Sequence, residues 1–114
     1  MTLFRMFLFA ILSAIIVYTA IVMINHGPNL LPVFFNDMLA MGWPGQFNLD
    51  FMTFLMLSAI WVAWRNGFSP MSWILALLAF FGGMLFLSVY LLILTSRHKG
   101  DMATILMGPS RTGS

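Results

Sequence analysis

The chain has 114 residues, of which 61% are hydrophobic and 7% charged, with five Lys or Arg, three Asp or Glu and a net charge of +2. Soluble domains carry about 45–50% apolar and about 25% charged residues, so these few charges cannot coat a water-facing globule. A soluble domain, a disordered tail and a basic nucleic-acid binder are excluded, which leaves a single membrane domain over residues 1–114.

The first apolar run, Met6–Ile24, follows Arg5 and contains no charge. Crossing a hydrocarbon core of about 30 Å takes about 20 helical residues, and this run is long for a signal-peptide core. It is expected to be a retained anchor spanning about residues 5–25, closed by Asn25-His26-Gly27-Pro28.

In the following segment, Leu30, Leu31, Phe34, Phe35, Met38 and Met41 share one helical side, and Asn29, Pro32, Asn36 and Asp37 the other. Such a segment is too short to cross, so the pattern predicts an amphipathic helix lying in the interface over about 29–41. Gly42-Trp43-Pro44-Gly45 is expected to turn the chain back, with Trp43 at headgroup level.

The second span, about 47–65, has too few uncharged residues between Asp50 and Arg65 to cross. It is expected to start near Phe47 or Asn48 and to carry Asp50 in its first turn, where the helix N-terminus is electropositive. Asn66-Gly67 then ends a helix and Ser69-Pro70 starts one, giving a tight antiparallel hairpin into a third span at about 70–97. The tail holds a short apolar patch, Met102–Met107, and residues 108–114 read as flexible. The expected fold class is therefore an all-α membrane protein with three transmembrane helices and one short interfacial helix.

Three full crossings place His26, Asp37, Asn48, Asp50, His98 and Asp101 at one membrane face, with Arg5 and Arg65 at the other. Basic residues then divide between Arg5 and Arg65 on one side and Arg97, Lys99 and Arg111 on the other, so their count gives no orientation. The first connection has no basic residue, which favours an outside location for it and a cytoplasmic N-terminus. A bacterial inner membrane is the expected setting.

The absence of cysteine removes thiol chemistry, disulfides and thiolate-held metals. No His or Asp pair has the helical spacing that pre-organises metal ligands. A haem between His26 and His98 would need both inside the bilayer, whereas each sits at a helix end. No metal and no cofactor are therefore expected. No nucleophile–base pair or phosphate loop is visible either, so the chain is read as non-enzymatic.

Asp50 is the ionisable residue forced nearest the membrane, where such groups are costly. It shares a helical face with Thr53 and Trp61, and three full crossings bring Tyr90 to its end of the bundle. Asp50, Thr53, Trp61 and Tyr90 thus form the candidate polar or ligand site, with the Tyr90 hydroxyl bonded to Asp50 or Thr53. Cap and headgroup roles are the plainer alternative for Asp50 and Tyr90. Ala79, Gly82 and Gly83 are expected to mark a close helix contact or a bend.

Asp50-Phe51, Trp61-Val62-Ala63-Trp64-Arg65, Gly82-Gly83, Tyr90 and Gly100-Asp101 together resemble a family of small bacterial and plant membrane proteins of unknown function. The resemblance covers about residues 47–108. It implies three helices in this order and no activity to carry over. The third helix departs from the family pattern, starting at Ser69-Pro70 where a polar or acidic start is usual.

The composite expectation is an accessory or self-associating subunit of a membrane complex. Its partners would be the lipid bilayer and other membrane subunits or a second copy, and no nucleic acid. Two alternatives stay open. One is a small oligomeric transporter or ion pathway using Asp50. The other is a binder of a lipid, quinone or carotenoid-like ligand in a groove of Trp61, Trp64, Phe80 and Tyr90.

Overall fold

The computed structural model describes residues 2–99 and 101–109. It contains α1 (Thr2–His26), α2 (Leu31–Leu39), α3 (Trp43–Arg65), α4 (Pro70–Arg97) and α5 (Met102–Met107), with no strand among the described residues. α1, α3 and α4 are each long and apolar enough to cross a membrane. α4 packs against α1, α3 and α5, while α2 packs on α3.

α3 begins at Trp43-Pro44, earlier than the sequence suggests, because proline at the first helical turn costs no backbone hydrogen bond. Gly45 permits this start. A Cβ there would lie 2.3 Å from the Asp37 carbonyl oxygen and 2.8 Å from the Met38 Cα, so only glycine lets α2 and α3 approach this closely. Asn48 then donates its side-chain amide to the Phe34 carbonyl at 3.1 Å, tying the two helices together. Asp50 consequently lies about two turns inside α3 rather than in its first turn.

The connection from α3 to α4 follows the sequence closely. Asn66 returns its side-chain amide to the Val62 carbonyl at 2.8 Å, and Gly67 takes φ +70°. Ser69 then caps α4, its hydroxyl accepting from the Ser72 amide at 3.3 Å, with Pro70 in the first turn.

α4 is broken. Gly83 has φ +56° and ψ −138°, a conformation that residues with a Cβ rarely adopt. The bend expected at Gly82-Gly83 is there, and it is large enough to reverse the chain. Gly83 sits beside Phe51 and Leu55, whereas Tyr90 bonds Asn66 at 2.8 Å and His98 reaches Arg65 at 3.2 Å. The first half, residues 70–82, thus runs away from the Arg65 end of α3, and residues 84–97 run back toward it. An unbroken antiparallel helix would instead carry Tyr90 toward the start of α3.

The buried residues follow this reversal. Ser72, Ala76 and Ala79 form the buried stripe of the first half, and Ser88, Leu92 and Thr95 that of the second. Small side chains of this kind let helix backbones approach closely. Met71, Trp73, Leu77, Leu78 and Phe81 point outward. α1 contributes buried Leu8 near its start, but every residue from 16 to 26 is exposed, because the second half of α4 does not extend along that stretch.

Candidate functional site

The best-formed polar assembly lies where α3, α4 and α5 all end. Arg65, in the last turn of α3, is 4% exposed. A guanidinium so far from water needs its donors met, since an uncompensated buried charge is costly. Here the acceptors are neutral. Its Nε donates to the Ile105 carbonyl, and Nη2 donates to the Thr104 carbonyl at 3.3 Å. Nη1 makes longer contacts of 3.5 Å to the Asn66 side-chain oxygen and the Tyr90 hydroxyl. The Tyr90 ring also lies 5.9 Å from the guanidinium carbon, a cation–π distance.

Those carbonyls belong to the end of α5. A helix leaves its last carbonyls without intrahelical partners and carries partial negative charge there. Trp61, one turn before Arg65 on α3, donates its indole N–H to the Leu106 carbonyl at 3.0 Å. Arg65 and Trp61 therefore cap α5 together, a use of the i, i+4 pair that spans two elements. Gly108 closes the contact: it takes φ +91°, and a Cβ on it would lie 2.3 Å from the Arg65 carbonyl oxygen. The tail is thus packed as far as Gly108, contrary to a flexible segment beginning there, and residues 110–114 lie outside the described residues.

His98 completes the cage, with its Nε2 3.2 Å from Arg65 Nη2. Asp101, at the start of α5, accepts from the Thr104 hydroxyl at 2.7 Å. That hydrogen bond, aided by the Thr104 and Ala103 amides and by His98, holds the Asp101 carboxyl below its ordinary pKa against a smaller effect of desolvation.

Arg5 repeats the theme on α4. Its Nη1 reaches the Leu92 carbonyl at 3.1 Å, the Thr95 hydroxyl at 2.6 Å and the Ser96 hydroxyl at 2.7 Å. The first turn of α1 thereby holds the end of α4, and Phe9 stacks 5.9 Å from the same guanidinium.

The expected constellations are redistributed by the break at Gly83. His98 and Asp101 stand with Arg5 and Arg65, at the opposite end from His26, Asp37, Asn48 and Asp50. The single polar face predicted from three full crossings is therefore two faces. The pairing of Tyr90 with Asp50 or Thr53 does not form, because Tyr90 turns to Asn66 and Arg65. Asp50 is exposed, and Thr53 donates to the Asp50 backbone carbonyl at 2.8 Å. Trp61 and Tyr90 do meet, with rings 6.1 Å apart and edge-to-face. Ala79 is fully buried, and Gly83 packs on Phe51 and Leu55. No group of three His, Asp or Glu able to hold a metal occurs among the described residues.

Below the Arg65 cage, a shallow apolar groove of about 260 Å³ runs between α3, the second half of α4 and α5. It is lined by Phe54, Leu57, Ser58, Trp61, Leu87, Leu91 and Leu106. Of the aromatics expected to line a ligand groove, Trp61 takes part; Trp64, Phe80 and Tyr90 do not.

Sequence reasoning missed the Arg65–α5 contact. Its signal was present as Trp61 and Arg65 one turn apart, followed forty residues later by a short apolar patch ending in glycine.

The fold and this site define a small α-helical protein with three helices suited to a membrane. Comparison with protein-family models finds no match, and neither the curated proteins nor the solved structures give one. The resemblance over residues 47–108 therefore rests on its short motifs alone.

Proposed function

We propose that this chain is a small, non-enzymatic integral membrane protein that works as an accessory or self-associating subunit of a membrane complex. The observation that carries the reading is the contrast within α1. Its first turns are held by α4 through Arg5 and Leu8, while residues 16–26 touch no other element closely enough to be covered. Half of one crossing is thus left for lipid, for another subunit or for a second copy. Native mass spectrometry after mild-detergent extraction tests this: an oligomer or a co-purifying subunit is expected, and a lone monomer in every lipid condition would refute it. Ala20→Trp, on the bare half, should weaken that association without altering the Arg65 cage.

Orientation follows from charge. Arg5, Arg65, Arg97 and Lys99 gather at one end, and the connection from α1 to α3 has no Lys or Arg. Basic residues favour the cytoplasmic side, so this end, including the N-terminus, faces the cytoplasm.

A second reading, an oligomeric transport path, is favoured by the broken helix. Interrupted helices at membrane depth are tolerated where they are buried in protein or line a cavity, and transporters use them. The path would pass Gly83 rather than Asp50, which is exposed near the far end. Proteoliposome flux should then fall in Gly83→Ala and persist in Asp50→Asn; no flux in the parent protein removes this reading. Binding of a quinone or carotenoid-like molecule in the Trp61 groove is checked by solvent extraction and an absorbance scan.

A further inference from the structure

We infer that α4 enters and leaves the bilayer through one leaflet, and that the end of the molecule so assembled is a surface for anionic phospholipid headgroups. The inference rests on the membrane reading above and adds the lipid partner and the path of the chain.

Hydropathy counts α4 as one crossing of 28 residues. Its halves on either side of Gly83 are each about 20 Å long at 1.5 Å per residue, too short for a core of about 30 Å. The contacts decide between a crossing and a return. Pro70 follows Arg65 by a four-residue turn, and His98 comes back to Arg65 at 3.2 Å. Ser96 meets Arg5, in the first turns of α1, at 2.7 Å. Both ends of α4 therefore lie at one level, and Gly83 lies deeper, beside Phe51 and Leu55. The outward side chains of the first half, Met71, Trp73, Leu77 and Phe81, suit acyl chains, while its small residues face protein.

The reversal changes the charge pattern of the surface. Three crossings would divide the basic residues between leaflets. With the return, Arg5, Arg65, Arg97 and Lys99 share one end with the single carboxylate Asp101, and Asp37 and Asp50 occupy the other. Arg65 and Arg5 are engaged by helix-end acceptors, whereas Arg97 and Lys99 are exposed, just beyond the last turn that reaches Arg5. Juxtamembrane cations of this kind attract anionic headgroups by roughly fivefold in binding for each charge. The surface is complementary to that leaflet and not to a neutral one.

The chain contains no cysteine, so single-cysteine labelling is clean. Thr2→Cys, Asn29→Cys and Met102→Cys, all at exposed positions, are reconstituted separately and treated with a membrane-impermeant maleimide from each side. Thr2 and Met102 are expected to label from one side and Asn29 from the other. Labelling of Met102 together with Asn29 would overturn the return of α4. Release of the chain by alkaline carbonate would overturn the membrane reading itself. For the lipid arm, native mass spectra are taken from mixed phosphatidylglycerol and phosphatidylcholine micelles. Phosphatidylglycerol adducts should dominate and fall at least fivefold in Arg97→Gln/Lys99→Gln. Equal retention of the two lipids, or no fall in the variant, would overturn the headgroup surface.

Discussion

The two ends of this molecule are built on different principles. At the basic end, four of the five helices are fastened by side chains crossing between elements: Arg5 holds α4, and Arg65 with Trp61 holds α5. At the acidic end, α2 rests on α3 through a close glycine contact and one Asn48 amide, and α1 stands uncovered. The difference shows where a chain with so little polar surface spends it. Among the described residues, most of the side-chain hydrogen bonds that cross between elements lie at helix ends of one face, and the other face is left to lipid or partners.

That comparison can be broken most sharply at Arg65. Arg65→Leu should unfasten α5 by taking the guanidinium donors from the Ile105 and Thr104 carbonyls, of which that of Thr104 keeps the Gly108 amide, a loss of about 3 kcal/mol. Thermal unfolding in detergent measures it, and fast hydrogen exchange at Gly108 would show that α5 has come away. Arg65→Lys, with a charge but no planar fork, should recover only part of the loss.

Gly83→Ala is expected to come next. A residue other than glycine at φ +56° and ψ −138° costs about 1–3 kcal/mol, and the added Cβ would press on Phe51 at 3.2 Å. The loss should be cooperative, because α4 is the element that α1, α3 and α5 share. Gly82→Ala should also be destabilising, since its Cβ would lie 2.6 Å from the Phe86 Cβ, an atom fixed to the backbone of the next turn, so the backbone itself must shift.

At the acidic end, Gly45→Ala should act locally. The clash with the Asp37 carbonyl displaces α2 and breaks the Asn48–Phe34 bond, a loss of about 1–3 kcal/mol confined to α2. Near-unchanged hydrogen exchange in α4 and α5 would support two ends that are energetically separate. Parallel loss across both would not.

The smallest effect is that of pH on Asp101. Its folded pKa is lowered, chiefly by the Thr104 hydroxyl, so its contribution is present above the unfolded value of about 3.9 and fades as pH falls through the lower folded one. Thr104→Val should reduce this acid sensitivity of α5 exchange while leaving the acidic end unaltered.

Much of the architecture was legible in local sequence. The long apolar runs gave the helices, Asn66-Gly67 and Ser69-Pro70 gave the tight turn, and Gly82-Gly83 marked a bend. The angle of that bend was not legible, because a glycine pair permits a kink, a close contact or a reversal equally. The choice is made by contacts distant in sequence, from Arg5 to Ser96 and from Arg65 to His98. Asp50 drew attention through its charge, but the start of α3 at Trp43 depends on the fit of Gly45 against α2, which no helical wheel contains. The Arg65 site was only half legible: its donors, Trp61 and Arg65 one turn apart, stand in the sequence, but its acceptors are backbone carbonyls, which carry no sequence signature.

The reversal of α4 is the claim from which the division into two ends follows, and a pair of spin-label distances tests it directly. One label at Met102→Cys is paired with a second at Leu3→Cys or at Ile24→Cys, positions about 30 Å apart along α1. The Leu3 pair is predicted to be close and the Ile24 pair far. The opposite order would mean that α4 runs on past Gly83 to the acidic end, which contradicts both the reversal and the division into two ends.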